Sequence, residues 1–178
     1  RRGPLEFTMQ LPGPGRRLGR PRPIEPNELP AFERANANEA DISLRHVRGG
    51  RGGLVTYDGA LEIRVGGQVV NTYHRGRSDG FRHRSYAASP DGERVITGGN
   101  NGIILGLNGR GKLIGRYLGH NSEVWSLTPS RDARLLVSGS ADQTIRFFNL
   151  KTRELVASLF HGADGEWVMW TPQGFYTG

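Results

Sequence analysis

Two stretches of the chain carry residue types at spacings that could do chemistry. Gly106-Leu107-Asn108-Gly109-Arg110-Gly111-Lys112 has the glycines and lysine of a phosphate-cradling loop. That chemistry also needs a following helix whose N-terminus faces the phosphates, and a Ser or Thr after the lysine to hold magnesium. Leu113 stands at the hydroxyl position and Lys112 to Tyr117 reads as a strand, so a glycine-rich hairpin turn is expected instead. His161, Asp164 and Glu166 could hold a metal or move a proton, but their setting reads as a loop between sheets. The remaining histidines, His46, His74, His83 and His120, form no pair at zinc spacing, and the chain has no cysteine. Thiolate sites, disulfides and cysteine nucleophiles are thereby excluded within it. No Gly-x-Ser-x-Gly occurs to support a serine hydrolase. No catalytic residue, cofactor site or metal site is assigned.

What must position these residues is legible as internal repetition. Ser89 to Asn108 (SPDGERVITGGNNGIILGLN) aligns without a gap on Ser130 to Asn149 (SRDARLLVSGSADQTIRFFN) at a constant offset of 41. Ser89 meets Ser130, Asp91 meets Asp132, Thr97 meets Ser138, Gly98 meets Gly139, Ile104 meets Ile145 and Asn108 meets Asn149. A period of about 40 to 45 suits four-stranded propeller blades. Alternation and turn residues place strands near 124–127, 135–139, 144–149 and 155–159, and in the preceding unit near 84–87, 94–97, 103–107 and 112–117. Leu54 to Val65 (LVTYDGALEIRV) reads as an earlier strand-turn-strand with Asp58-Gly59 at the turn, and Trp167 to Gly178 repeats Val124 to Gly139. The last unit breaks off in mid-blade, which reads as a fragment.

Composition agrees: 27 glycines and 10 prolines suit short strands and tight turns. Residues 1–45 differ in kind, with repeated Pro and Gly and no sustained period, and are expected to be a linker or irregular extension. Within them Leu5 to Leu11 could form a strand and Pro30 to Ala40 a short helix. The blades are then expected over 46–178, at about 46–80, 81–118 and 119–160, with the start of another at 161–178. Trp125, Trp167, Trp170, Phe175 and Tyr176 are expected mainly to fill the space between sheets. Alternation along the strand would send Trp125 and Leu127 to one face, Val124 and Ser126 to the other. The net charge of +7 comes from 24 basic and 17 acidic residues, the bases being arginine except Lys112 and Lys151. They are scattered, which favours a solvated surface over a dedicated nucleic-acid tract. No apolar run is long enough to span a bilayer, so no membrane partner is expected, and the compartment stays open.

From Gly119 to Leu159 the sequence resembles a WD repeat: Gly119-His120, then Ser138-Gly139-Ser140-Ala141-Asp142-Gln143-Thr144-Ile145-Arg146, then Phe148-Asn149. The resemblance implies an all-β fold, a partial β-propeller of about three four-stranded antiparallel blades plus the start of another. It also implies a buried relay in which His120, Ser138 and Asp142 match the family's histidine, hydroxyl and aspartate. Phe148 replaces the family's tryptophan, which removes an indole donor. The logic holds physically, because a buried carboxylate must accept hydrogen bonds and a histidine can donate from one nitrogen while accepting with the other. In the earlier unit Thr97 and Asn101 take the hydroxyl and aspartate places, Asp79 the histidine place and Leu107 the tryptophan place. Upstream, Arg64 holds the tryptophan place. Those units are expected to rely on apolar packing.

Gly165 to Thr177 (GEWVMWTPQGFYT) is similar to a segment of bacterial multidomain proteins that join WD-type propellers to caspase-like peptidase domains. The expected function is a non-catalytic protein-binding or scaffolding module of a larger bacterial protein, with a protein or peptide partner. The missing blades would come from further sequence or a second chain. The alternative is the regulatory or targeting region of a caspase-like peptidase whose catalytic domain lies elsewhere. Arginine-mediated nucleic-acid binding is a third candidate.

Overall fold

The computed structural model describes residues 42–47, 51–52, 55–56 and 59–178. The strand expected at Leu5 to Leu11 and the helix at Pro30 to Ala40 lie outside the described residues, as does Asp58. Among the described residues fifteen strands follow in chain order. The first group is β1 (Ile42–Val47), β2 (Arg51–Gly52), β3 (Val55–Thr56), β4 (Ala60–Val65) and β5 (Gln68–Tyr73). Next come β6 (Ser85–Ala88), β7 (Arg94–Gly98), β8 (Ile104–Asn108) and β9 (Leu113–Tyr117). The last are β10 (Val124–Pro129), β11 (Leu135–Ser140), β12 (Thr144–Asn149), β13 (Leu155–His161), β14 (Trp167–Trp170) and β15 (Tyr176–Thr177). They build antiparallel sheets ordered β1-β4-β5, β6-β7-β8-β9 and β10-β11-β12-β13-β14-β15, with β2-β3 a small hairpin. The strands expected in the two aligned units are present within a residue or two of their predicted ends.

The sheets pack face to face through two apolar layers. Ile42, Leu61 and Ile63 of the first sheet meet Ala88, Val95 and Leu107 of the second. Ala87, Ile96, Ile104 and Tyr117 of the second meet Val124, Leu127, Leu136 and Phe148 of the third, with Leu150 just beyond β12. Tyr117 also donates its hydroxyl to the Leu150 carbonyl at 2.7 Å, and burial pushes its phenol up to about 12. Removing such a fully buried aliphatic side chain costs about 2–5 kcal/mol, so these layers carry the fold. Gly98 has a steric duty here, because a Cβ would lie 2.8 Å from Val124 of the next sheet.

The repeated residues repeat a job. Ser89 and Ser130 each bond the carboxylate two residues on, and their hydroxyls accept from the backbone N–H of Arg94 and Leu135. Asn108 and Asn149 each accept two backbone N–H bonds across the next turn. A bulge recurs at the matching point of all three sheets, at Ile63/Arg64, Gly106/Leu107 and Phe147/Phe148.

Three expectations are corrected. The partner of β4 is β1, with Ile42 opposite Val65 and Val47 opposite Ala60, and not the segment from Leu54. A long connection carrying the β2-β3 hairpin separates them, and β1 begins inside the segment assigned to the extension. Trp125 and Leu127 do not share a face: a bulge between Val124 and Ser126 puts Val124 and Leu127 in the core and turns Trp125 outward, 65% exposed. Finally, β14 and β15 do not open a new sheet. β14 pairs along the edge of β13, His161 opposite Trp167, after a turn in which Gly162 accepts from Gly165, itself at φ 89. The free N–H and C=O groups of an edge strand attract such pairing. Phe175 and Tyr176 are exposed, so these rings do not fill an interior.

Turn geometry separates the units. Gly92 and Gly102 adopt positive φ, and 41 residues on Ala133 and Gln143 do so at 53° and 67°; Gly111 and Arg153, the latter at 70°, do so in the turns that follow Asn108 and Asn149. A left-handed residue with a side chain costs about 1–2 kcal/mol, against about 0.5–1 kcal/mol of backbone entropy for glycine. Gln143→Gly should therefore raise stability by about 0.5–1 kcal/mol in a urea melt. Gly102→Ala should lower it by more than about 1–2 kcal/mol, since its Cβ would lie 2.3 Å from the His120 carbonyl oxygen.

Candidate functional site

The connections β5–β6, β7–β8, β9–β10 and β11–β12 meet at one end of the stacked sheets. They are tied together by backbone bonds from Val124 N–H to the Gly99 carbonyl and from Ala141 N–H to the Glu123 carbonyl. His120 follows β9, Ser138 lies on β11 and Asp142 in the β11–β12 turn, and the fold brings all three together. His120 Nδ1 donates to Asp142 Oδ2 at 2.8 Å, and His120 Nε2 accepts from Ser138 Oγ at 2.8 Å. That assignment follows from the carboxylate, which can only accept. Thr144 donates its hydroxyl to Asp142 Oδ1 at 2.6 Å and its N–H to the same oxygen at 3.0 Å, while Asn121 N–H reaches Oδ2 at 3.2 Å. Burial alone would raise the Asp142 carboxyl, but Thr144, His120 and these N–H groups outweigh it and bring it down to about 2. Burial lowers His120, with Asp142 opposing the shift. Phe148 packs its ring edge-on to His120 at 6.5 Å and to Tyr117 at 5.6 Å, and has no donor to extend the chain of bonds.

The second sheet solves the same problem differently, and sequence reasoning missed it. Asp79, at the aligned histidine place, turns its carboxylate to Arg116 at 2.8 Å. The hydroxyl of Thr97 is met instead by His83 Nδ1 at 2.7 Å, while His83 Nε2 donates to the Tyr73 carbonyl at 3.2 Å. Beside it lies Arg75, a buried cation. Its guanidinium donates to the carbonyls of Gly80 at 2.9 Å, Thr97 at 2.8 Å and Ile103 at 2.7 Å, and also to that of Asp79. Burial draws Arg75 down to about 10, which leaves it charged at neutral pH. Burial, with Arg75 adding, draws His83 down to about 4 and keeps it neutral. The unit therefore does not rely on apolar packing alone. The available signal was length: the connection from Tyr73 to Ser85 is three residues longer than that from Tyr117 to Ser126, which displaces any gapless alignment.

The other candidates are separate. Gly106 to Lys112 closes the β8–β9 hairpin, with Asn108 Oδ1 accepting from Arg110 and Lys112 N–H, and a strand follows it. Asp164 caps its own turn through Glu166 N–H at 3.1 Å, and His161 ends β13 on the surface. Among the described residues no group of three His, Asp or Glu is placed to hold a metal, and no helix is long and apolar enough to cross a membrane.

Stacked antiparallel sheets of three, four and six strands, joined so that each new unit begins against the face of the one before, define a β-propeller arrangement. Residues 111–149 match the family "WD domain, G-beta repeat". The chain is 31% identical over 67 residues to eukaryotic translation initiation factor 3 subunit I of Aspergillus niger, covering 37% of this chain and 20% of that protein. It is 34% identical over 83 residues to Polycomb protein esc of Musca domestica, covering 46% and 19%. The matches thus span about a fifth of these relatives. Among solved structures it is similar to U3-55K, with TM-score 0.51 and 18% identity over 79% of this chain and 55% of that one. It is equally similar to the WD40 β-propeller domain of Doa1, with TM-score 0.51 and 14% identity over 76% and 48%. Those likenesses concern the fold.

Two outcomes follow for the polar end. His83 is depressed, so the folded state refuses a proton that the unfolded chain takes. Stability is full above about pH 6.5 and falls as pH drops towards about 4, at up to about 1.4 kcal/mol per pH unit. Thermal melts from pH 7 to pH 4.5 should show this loss, and His83→Gln should flatten it. His120→Ala should lower the melting temperature at pH 7, because Asp142 and Ser138 lose a buried partner; an unchanged curve would remove any role for that contact.

Proposed function

We propose that the chain is a non-catalytic protein-binding scaffold whose blades begin with β1 at Ile42 and run to residue 178. In this reading His120, Ser138 and Asp142 are a structural relay that holds β9, β11 and the following turn in register. It needs no cofactor or metal. One relative is by name a subunit of a translation factor, and WD-type propellers generally act by docking other proteins.

The observation that carries the reading is the outward face of the third sheet. In the second sheet Ile96, Ile104 and Tyr117 are fully buried against β10 to β12. Their counterparts by repeat and register are Val137, Ile145 and Leu159, and there Ile145 is 40% exposed beside the outward-turned Trp125. Trp125, Gly139, Ile145, Leu159 and His161 line an open cleft of about 350 Å³. Gly139 repeats Gly98, yet a Cβ on it would meet only Ser126 of its own sheet. A face with this pattern is built to receive another sheet, supplied by further sequence or by a second chain.

A second reading makes the chain the regulatory or targeting region of a caspase-like peptidase in a bacterial multidomain protein. It rests on the resemblance of Gly165 to Thr177, which forms the β14–β15 hairpin, and the relatives above, being eukaryotic, add nothing to it. Nucleic-acid binding through arginine predicts affinity that falls steeply with salt. Light scattering combined with pull-down should find self-association or a protein partner that Ile145→Glu abolishes without shifting the melting curve. A monomer that captures nothing, or that retains only nucleic acid, would overturn the scaffold reading.

A further inference from the structure

We infer that the cleft on the outward face of the third sheet clamps one residue of an extended segment of a partner protein: a valine or isoleucine, held by its own N–H and C=O and preceded by an apolar residue. This rests on the scaffold reading and names the kind of strand that the open face takes.

The second sheet shows the clamp filled. Val124, the first residue of β10, donates its N–H to the Gly99 carbonyl at 3.0 Å, and its own carbonyl accepts from Ser85 Oγ at 2.8 Å. Its branched side chain sits over Gly98, where a Cβ would lie 2.8 Å from it. Gly98 stands opposite Ser85 on β6 and opposite Ile104 on β8. At the offset of 41 residues these parts recur on the third sheet. Gly139 stands opposite Ser126 on β10 and opposite Ile145 on β12. In both sheets a Cβ on the glycine would lie 2.6 Å from the serine Oγ, so the two hydroxyls are set in the same place. Ser126 is exposed, and its hydroxyl bonds nothing among the described residues. Ser140, at the place of Gly99, spends one lone pair of its carbonyl on the Gln143 N–H at 3.2 Å and keeps the other. Ser126, Gly139 and Ser140 all line the cleft of about 350 Å³.

Two features select the occupant. The glycine at 139 lets another backbone approach closely, and a β-branched side chain enters such a seat with its rotamer already restricted. The residue before it is chosen by what stands at the place of Arg84. In the second sheet Arg84 meets Glu123, the residue before Val124, at 2.6 Å. In the third that place is taken by Trp125, 65% exposed, which offers a ring where Arg84 offers a charge. An apolar side chain gains contact there, and a carboxylate loses its arginine. The chain's own β14 does not meet these terms. With Thr171-Pro172 aligned on Thr128-Pro129, Glu166 and Trp167 fall at the places of Glu123 and Val124, and Trp167 is paired with His161 on the β13 edge. The segment that fits the clamp belongs to a partner.

The test is fluorescence anisotropy on the chain with three fluorescein-labelled peptides. The first copies residues 122–128, the second replaces its glutamate by Phe, and the third is the second with its valine N-methylated. The Phe peptide should bind at least about tenfold tighter than either other, because the first lacks the apolar contact and the third the N–H for Ser140. Ser126→Ala should weaken the Phe peptide about three- to tenfold with the melting curve unchanged, since that hydroxyl bonds nothing within the fold. Trp125→Arg should reverse the preference towards the glutamate peptide. Equal or tighter binding of the copied sequence, no loss on N-methylation, indifference to Ser126→Ala, an unreversed preference in Trp125→Arg, or no binding of the Phe peptide would overturn the clamp. The scaffold reading is decided separately, by whether Ile145→Glu abolishes association with a protein partner or a second copy.

Discussion

A four-stranded sheet has two faces, and a sequence that makes both apolar can bury them only by standing between two other sheets. That constraint organises the molecule. The second sheet satisfies it fully, with Val95 and Leu107 against the first sheet and Ile96, Ile104 and Tyr117 against the third. Its interior is so uniformly apolar that Gly98 is needed to let Val124 approach. The third sheet is built to the same plan and is satisfied on one face only.

Stacking creates a second problem at the sheet ends, where turns must be buried without orphaning their polar groups. Each unit places a hydroxyl on its second strand, Thr97 or Ser138, and each hydroxyl is matched by an imidazole. The imidazole comes from different places: His120 stands four residues before β10, whereas His83 stands two before β6. In the third sheet a carboxylate completes the set, and in the second a guanidinium does. What is preserved is a buried hydroxyl bonded to an imidazole; the charged group bonds the imidazole in the third sheet, as Asp142, and the hydroxyl itself in the second, as Arg75. The same protons explain why acid should loosen both units, since neutral His83 and ionised Asp142 are the forms the fold holds.

The legible part of the sequence was the part where one residue does one local job. Ser89 and Ser130, Asp91 and Asp132, Asn108 and Asn149 recur because each closes a turn by bonds to backbone two to five residues away. Such chemistry is written in spacing, and so were the strands between these turns; the trio His120, Ser138 and Asp142 was legible through the resemblance to a WD repeat. The illegible part depended on distance or on count. β1 lies far from β4 along the chain, so a nearer segment was a more natural partner on paper. One extra residue at the Val124/Ser126 bulge reversed the face of Trp125, which alternation alone cannot foresee. Three extra residues between Tyr73 and Ser85 hid Arg75 and His83 from alignment.

A longer connection can carry more surface side chains, but a longer loop is also a softer one, and softness costs affinity. Arg75 resolves the conflict: one side chain with five donors replaces several backbone contacts that a short turn would have made by itself. A lysine could not do so, since its three donors diverge from a point and cannot span carbonyls on the loop and on two strands at once. The charge is then an incidental consequence of the geometry required, and its repulsion helps keep His83 neutral. The loop gains its rigidity from beneath, through carbonyls of Asp79 and Gly80 within it and of Thr97 and Ile103 on the sheet.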